Sequence, residues 1–213
     1  MSQQVAIVDY GMGNVRSVLN AFQAVSAPDD QVFLTNEPER LRAADRIVFP
    51  GQGAAGDCMA ALQQDELDQV IAELAANKPF LGICMGMQVL LGHSDENDGT
   101  PCMNYFPGGV HHFADNAEQV SGLKIPHMGW NSVRQTSAHP LWQNIPDNSM
   151  FYFVHSYYVV PEQPGLTVGE TSYGIDFTAA LAADNIFAIQ CHPEKSSTAG
   201  LQLLNNFLEW DGG

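Results

Sequence analysis

Three residues of this chain have the types and order needed for covalent catalysis on a carbonyl compound: a cysteine, a histidine and a glutamate. Cys84 lies in the segment Gly-Ile-Cys-Met-Gly, whereas His192 and Glu194 lie in the segment Cys-His-Pro-Glu. A cysteine nucleophile needs a general base, and the base needs a carboxylate that fixes its tautomer and stabilises its charged form. The three residues therefore predict nucleophilic catalysis by the cysteine.

The surroundings of Cys84 predict a sharp turn between a strand and a helix. An apolar run at 79–83 indicates a buried strand, and the run at 85–91 is compatible with a helix. Gly82 and Gly86 flank the cysteine, as in a nucleophile elbow, where the neighbouring backbone leaves no room for a Cβ. Helix N–H groups aimed at the sulfur favour the thiolate. The alternative is an unreactive buried cysteine at the end of a core strand.

His192 and Glu194 follow a second apolar run, 186–190, which also has strand character. Residues two apart on an extended chain point the same way, so the carboxylate should face the imidazole. Pro193 cannot donate to a sheet ladder, which predicts that the strand ends here beside a cleft. Taken alone, His192 would more often be a surface histidine next to a turn proline.

Composition and charge exclude several classes of function. The chain has 213 residues, enough for a sizeable core, and we predict one domain over residues 1–213. No apolar run approaches the roughly 18 residues of a membrane span, and no N-terminal segment indicates secretion. Four cysteines without C-x-x-C spacing predict reduced thiols and a cytoplasmic location. A net charge of −16 with only 8 Lys+Arg argues against nucleic acid or anionic membranes as partners.

The order of elements predicts an α/β fold with a mostly parallel open sheet flanked by helices. Predicted strands lie at 5–9, 31–34 and 46–49, and predicted helices lie at 17–25, at 67–74 and at 198–210, the last burying Leu201, Leu204, Phe207 and Leu208. The segment 109–181 is rich in short β-like runs, which predict extra, partly antiparallel strands; they include HHF at 111–113, FYFVHSYYVV at 151–160 and FTAALA at 177–182. The stretch 95–100 has the composition of a solvated loop.

Two motifs that suggest a cofactor are discounted. Gly11 and Gly13 follow a strand as in a dinucleotide site, but Arg16 occupies the position of the third glycine. His111 and His112 are adjacent, so on a strand they face opposite sides and do not share a metal ion. We predict no cofactor and no metal.

The chain resembles the class I, triad-type glutamine amidotransferases. The general family motifs are PGQG at 50–53, GICMGMQ at 82–88 and HPEKS at 192–196. Three further segments match the branch whose members supply ammonia to a cyclase subunit in histidine biosynthesis: DYGMGNVRS at 9–17, PHMGWN at 126–131 and FYFVHSYY at 151–158. The resemblance covers essentially the whole chain and implies hydrolysis of L-glutamine to glutamate and ammonia.

The resemblance also assigns residues to the binding of substrate. The oxyanion would be held by the N–H of Met85, at the start of the elbow helix, and by the PGQG loop around Gln52 and Gly53. The positions that match glutamine-binding residues are Gly51, Gly53, Gln88, His155, Ser156 and Tyr157. The chain departs from the family at Gln52, where many relatives have a small apolar residue, and at Cys191, where an aromatic residue is usual. Cys191 should point into the core, away from His192.

The resemblance further implies a heterodimer with the cyclase, which is a (β/α)₈ barrel that receives ammonia through a tunnel. Asn14, Arg16, Trp130 and Lys195 match interface or gating positions, although Trp130 could instead belong to the core. Two other functions stay open. One is a related amidotransferase that serves guanylate or anthranilate synthesis, and the other is a non-catalytic or peptidase-like relative of the same fold.

Overall fold

A computed structural model describes residues 2–64 and 66–213 of the chain. Over these residues it contains six α-helices and thirteen strands. The helices are α1 Val15–Val25, α2 Pro38–Ala43, α3 Ala55–Gln64, α4 Leu67–Ala75, α5 Met85–Gln88 and α6 Ser197–Glu209. The strands are β1 Gln4–Val8, β2 Gln31–Thr35, β3 Arg46–Gly51, β4 Phe80–Cys84, β5 His93–Ser94, β6 Thr100–Pro101, β7 Gly108–His112, β8 His127–Gln135, β9 Ser149–His155, β10 Tyr157–Pro161, β11 Thr167–Tyr173, β12 Ile175–Ala183 and β13 Ile186–Ile189.

The first half of the sheet is parallel and buried on both faces. Its strand order is β2-β1-β3-β4-β13, and all neighbouring strands in this half run parallel. Val5 and Ile7 enter one apolar cluster, which α1 and α6 cover. Ala6 and Val8 enter a second cluster on the opposite face, which α2, α3 and α4 cover. The alternation follows from the period of two along a strand, and it confirms the predicted α/β class.

The second half of the sheet is mainly antiparallel. β12 pairs with β13, β10 and β11, and β10 continues the sheet to β7. β8 pairs with β11 and forms an antiparallel pair with β9. This confirms the prediction of extra antiparallel strands between 109 and 181, although the strands β8 and β11 were not individually predicted.

Several details differ from the sequence prediction. The helices α2 and α3 were not predicted, and the elbow helix ends at Gln88 instead of 91, because the buried residues that follow turn the chain toward β5. Leu201 is 37% exposed, whereas Leu203 is fully buried in its place on α6. The stretch 95–100 is not a simple solvated loop, since it contains a 3₁₀ turn at Glu96–Asp98 and the buried Thr100. Among the residues described, no helix combines the length and apolar character that crossing a membrane would take.

Candidate active site

Cys84 lies at the carboxyl end of β4, at the point where the chain turns sharply into α5. Its backbone has φ 55° and ψ −107°, a conformation that a residue with a side chain rarely adopts. A Cβ on Gly86 would overlap the carbonyl oxygen of Phe49, and one on Gly82 would lie 2.8 Å from the carbonyl oxygen of Gly86. The strand, the strained cysteine and the two crowded glycines together form the predicted elbow.

The helix that follows supplies a backbone donor next to the sulfur. Met85 is the first residue of α5, so its N–H has no partner within the helix and is free to bind an anion. Cys84 itself is 7% exposed, and its sulfur borders a cavity.

His192 and Glu194 form a buried pair beside Cys84. Ile189 at the end of β13 is in register with Ile83 on β4, so the chain leaves both strands at the same edge of the sheet. His192 Nδ1 lies 2.8 Å from Glu194 Oε1, and both side chains are almost completely buried. The prediction of an extended chain between them was wrong, because Pro193–Lys195 forms a 3₁₀ turn that brings the carboxylate under the ring.

Hydrogen bonds to the backbone hold this turn in place. The His192 N–H donates to the carbonyl oxygen of Tyr152 on β9, at 2.9 Å. The Ser196 hydroxyl donates to the carbonyl oxygen of His192 and accepts from the N–H of Tyr152. The position of the imidazole is therefore determined by β9 as well as by its own strand.

The electrostatics of the pair favour a charged histidine. Burial lowers the pKa of His192, but the Cys84 thiolate and the Glu194 carboxylate outweigh burial and raise that pKa to about 10. Nε2 of His192 is buried and has no hydrogen-bond partner among the described residues, so it is free to exchange a proton with a bound substrate. The arrangement suits a thiolate–imidazolium pair that is oriented by a carboxylate.

A cavity of about 430 Å³ opens over the sulfur. Ten of the predicted site residues line it: Gln52, Gly53, Cys84, Met85, Gln88, His155, Ser156, Tyr157, His192 and Lys195. Glu96, Pro126 and Val154 line it as well and were not predicted. The acidic residues around Glu96 do not by themselves predict that Glu96 lines the cavity, because its position depends on how the segment 95–100 packs against α3. There the Glu96 carboxylate accepts from the N–H of Ala55, at 2.7 Å.

Gly51 and Glu194 lie behind the cavity rather than on its wall. Both border a narrow crevice together with Asn14, Gln52 and His192. A Cβ on Gly51 would overlap the Tyr10 hydroxyl and the Met85 side chain, so this position accommodates only glycine. We therefore infer that Gly51 shapes the loop without bordering the substrate directly.

The PGQG loop rests against the turn that precedes α1. A Cβ on Gly13 would lie 3.4 Å from the backbone nitrogen of Gln52, so the two backbones nearly touch. Gly53 has φ +100°, and a Cβ there would meet only the terminal methyl of Met12, at 3.0 Å. The Gly11–Asn14 turn and the PGQG loop therefore pack against each other.

The far wall of the cavity is neutral. His155 Nδ1 lies 2.7 Å from the carbonyl oxygen of Tyr157, and His155 Nε2 lies 2.9 Å from His127 Nδ1. A carbonyl oxygen can only accept, so Nδ1 of each ring carries the proton. Burial lowers the pKa of His155 to about 3 and that of His127 to about 4, which leaves both rings uncharged at neutral pH.

The predicted interface residues are not all in the same environment. Trp130 is 50% exposed, so the alternative that it belongs to the core is wrong. It lies on the β8–β9 pair together with Met128 and Met150, which are 61% and 48% exposed. Arg16 is exposed, Asn14 is half-buried, and Lys195 borders the cavity.

Cys191 is fully buried in an apolar cluster, as predicted. Burial raises the pKa of its thiol well above the ordinary value, so it is a poor nucleophile. Cys58 is also buried, with a thiol pKa raised to about 12.

The comparisons with known proteins agree with this geometry. The family model described as Glutamine amidotransferase class-I matches residues 6–210. The chain belongs to the class-I glutamine amidotransferase family. Within that family it is similar to proteins named imidazole glycerol phosphate synthase subunit HisH. It is 56% identical over 208 residues to the one from Nitrosococcus oceani, covering 98% of each chain. It is 54% identical over 211 residues to the one from Pseudomonas putida, covering 99% of each.

Solved structures share the fold at much lower identity. The PurLQS structure from Thermotoga maritima has a TM-score of 0.74 at 17% identity and covers 98% of this chain and 99% of its own. A glutamine amidotransferase structure, also from Thermotoga maritima, has a TM-score of 0.66 at 15% identity, with coverage of 98% and 97%. At these identities the likeness concerns the fold alone.

Proposed function

We propose that this chain is a glutaminase subunit that hydrolyses L-glutamine to glutamate and ammonia. The ammonia would pass to a cyclase subunit, HisF, which uses it to form imidazole glycerol phosphate and AICAR in histidine biosynthesis. The single observation that carries the proposal is the buried His192–Glu194 pair, which borders the strained Cys84 at the floor of a cavity.

The first step is acylation of the cysteine. The Cys84 thiolate attacks the side-chain amide carbon of glutamine, and a carbon–sulfur bond forms. The negative charge that develops on the amide oxygen is stabilised by the N–H of Met85 and by a donor from the Gln52–Gly53 loop. His192 gives its proton to the leaving nitrogen, the carbon–nitrogen bond breaks, and ammonia departs from a γ-glutamyl thioester.

The second step is hydrolysis of the thioester. His192, now neutral, takes a proton from water as the water oxygen attacks the thioester carbon. The carbon–sulfur bond breaks, glutamate leaves, and the thiolate–imidazolium pair is restored. Glu194 keeps the ring in one tautomer throughout and stabilises its charged form.

The walls of the cavity suit an amino acid with its own charged groups. Glu96 offers a carboxylate for the substrate ammonium group, and Lys195 offers a cation for a carboxylate at the cavity rim. Ser156 and Tyr157 lie on the neutral wall, where backbone groups can orient the side-chain amide. We propose Gln88, His155, Ser156 and Tyr157 as substrate-positioning residues on this basis.

A separate ammonia-using subunit requires a docking surface close to the site. The exposed apolar face of the β8–β9 pair, formed by Met128, Trp130 and Met150, has the composition of an interface core. Tyr152 on the same pair contacts the backbone of His192. We propose that the cyclase docks here and around the Asn14–Arg16 turn and Lys195, in a heterodimer located in the cytoplasm.

A related amidotransferase that serves another synthase is the second candidate. The relatives at 50% identity and above favour the histidine branch. They are named imidazole glycerol phosphate synthase subunit HisH, and this chain matches them over nearly their whole length. The intact set of Cys84, His192 and Glu194 argues against a non-catalytic relative.

The replacement Cys84→Ala tests the proposal. It should abolish glutamine-dependent synthesis in the reconstituted pair, because the thioester cannot form, while synthesis from added ammonia persists. Cys191→Ala is the matched control and should retain glutaminase activity. A glutamine analogue that labels thiols should label Cys84; labelling of Cys58, Cys102 or Cys191 instead would refute the assignment.

A further inference from the structure

A pair of buried glutamines connects the substrate wall to the nucleophile. Gln190 is fully buried and Gln88 is 3% exposed. Gln88 Nε2 donates to the carbonyl oxygen of Tyr157, at 3.2 Å, and to Gln190 Oε1, at 3.0 Å. Gln190 Nε2 in turn lies 3.7 Å from the sulfur of Cys84, within hydrogen-bonding reach of a sulfur atom.

The direction of these hydrogen bonds follows from one obligate acceptor. The Tyr157 carbonyl oxygen cannot donate, so the side chain of Gln88 must turn its nitrogen toward it. That same nitrogen faces Gln190, which must therefore present its oxygen. The remaining half of the Gln190 amide, the NH₂ group, is consequently turned toward the Cys84 sulfur.

The side-chain amide of Gln190 is unfavourable in a buried position, and close packing of the core does not explain why it is there. A buried amide loses its hydration, and an apolar side chain of the same size would fill the space without that loss. The sulfur is the group that gains from the arrangement, since a donor aimed at it favours the thiolate over the thiol. Gln190 and His192 lie two residues apart, on either side of the inward-pointing Cys191, so both can face Cys84.

We propose that Gln190 is a further residue of the catalytic machinery, whose side-chain NH₂ group donates to the Cys84 sulfur and stabilises the thiolate. Gln88 acts through Gln190 as a positioning residue, because it fixes which end of the amide meets the sulfur. The inference rests on the proposed role of Cys84 as nucleophile. Gln190 is a neutral hydrogen-bond donor and His192 is a charged partner, and in this proposal both stabilise the Cys84 thiolate.

The replacement Gln190→Met removes the donor and retains an unbranched side chain of similar volume. We expect the midpoint of the pH profile of Cys84 alkylation by iodoacetamide, followed by peptide mass analysis, to move to higher pH by about 0.5 to 1 unit. The rate at the high-pH plateau should stay the same, because the thiolate itself is unchanged. A merely structural role would not move the midpoint in this way.

Thr178→Val is the matched control, since it also removes a buried hydrogen-bonding group, from the adjacent strand β12. Its alkylation midpoint should equal that of the unmodified chain. If the midpoint of Gln190→Met stays the same or moves to lower pH, the inference is wrong. Gln190→Leu also lacks the donor, and it decides the question if the methionine variant does not fold.

A measurement on the unmodified chain does not depend on any variant. The NMR signals of the Gln190 side-chain NH₂ group should shift with pH at the same midpoint as Cys84 alkylation, whereas those of the exposed Gln119 should not. Signals of Gln190 that stay constant through that midpoint would overturn the inference. If Cys84 is alkylated and glutamine is hydrolysed, but Gln190→Met leaves the alkylation midpoint unchanged, only this inference fails. If Cys84→Ala retains full glutaminase activity, the proposed function fails instead.

Discussion

The parallel half of the sheet and its antiparallel half contribute histidines of opposite character to the same cavity. His192, which follows the parallel strand β13, has a pKa raised to about 10, whereas His155 on β9 has a pKa lowered to about 3. Burial lowers the pKa of both rings. His192 is charged because it faces Glu194 and the Cys84 thiolate. His155 instead faces a carbonyl oxygen, the neutral His127 and the charge of His192, which lowers the pKa of His155 further.

This difference separates chemistry from recognition in the molecule. The charged groups that we propose make and break bonds lie where β4 and β13 end side by side. The antiparallel strands add an uncharged wall that can orient a substrate without competing for the proton. The comparison therefore predicts that changes in the parallel half alter turnover, whereas changes in the antiparallel wall alter binding and stability.

The largest effect that sharpens this comparison is expected at His192. His192→Ala removes the group that we propose carries the proton, and the glutaminase rate should fall on the order of 10³-fold or more. Glu194→Gln should cost less, because it removes the orienting charge and leaves the base. Steady-state glutamate release by the complex measures both, with His111→Ala as a control outside the site. Near-normal turnover of the His192 variant would refute the assignment of the base.

An intermediate effect is expected at the PGQG loop. We predict that the chain alone is a poor glutaminase and that the partner and its nucleotide ligand rotate a peptide near Gly53 to present an N–H to the oxyanion. One such donor is worth about 10² to 10³ in rate, and the partner's differential affinity for the active loop must supply the energy. Gly53→Ala should reduce the stimulation about 10-fold or more, because φ +100° is unfavourable for alanine.

The measurement is glutaminase activity of the chain alone and in the complex, with and without the nucleotide substrate. Gly122→Ala is the matched control, since Gly122 also has a positive φ but has open space around it and lies outside the loop. Its stimulation should be normal, and both variants should bind the partner. Full activity of the chain without any partner would show that the loop is preformed and that no such rotation occurs.

The smallest effect on turnover is expected from the neutral histidines, whose titration changes the stability of the fold. The pKa values of His127, His139 and His155 in the folded chain lie near 4, 4 and 3. Below about pH 6.5 these three rings bind protons in the unfolded chain but stay neutral in the folded chain. The free energy of unfolding should therefore fall as the pH falls from about 6.5 to about 4.5, by about 2 kcal/mol for His155 alone. The contribution of His192, whose pKa is raised, is fully present below pH 6.5 and does not change in this window.

Urea unfolding at both pH values measures the loss. His139→Asn keeps an acceptor for the N–H of Leu141 and removes one titrating ring, so its loss should be smaller than that of the unmodified chain. Equal unfolding free energies at pH 6.5 and 4.5 in the unmodified chain would contradict the neutral state of these histidines.

Much of the parallel half could be predicted from local patterns. The strand ending at Cys84, the helix α4 and the role of the glycines beside Cys84 follow from periodicity and from backbone sterics over a few residues. The antiparallel half was predicted less completely, because the pairings of β10 with β7 and of β8 with β11 join strands that are distant in the sequence. The buried position of Leu203 in place of Leu201 shows a related limit, since the rotation of α6 depends on the helix and sheet against which it packs.

The sequence by itself determined which residues could act as nucleophile, base and orienting acid, because Cys84, His192 and Glu194 are recognisable from their own neighbours. Tertiary structure alone decided that Glu96 reaches the cavity, that Trp130 is exposed and that Gln190 faces the sulfur. The physical reason is distance along the chain: Gln88 and Gln190 are separated by 102 positions and Gln190 and Cys84 by 106, and no local pattern encodes contacts that only the packing of separate strands creates.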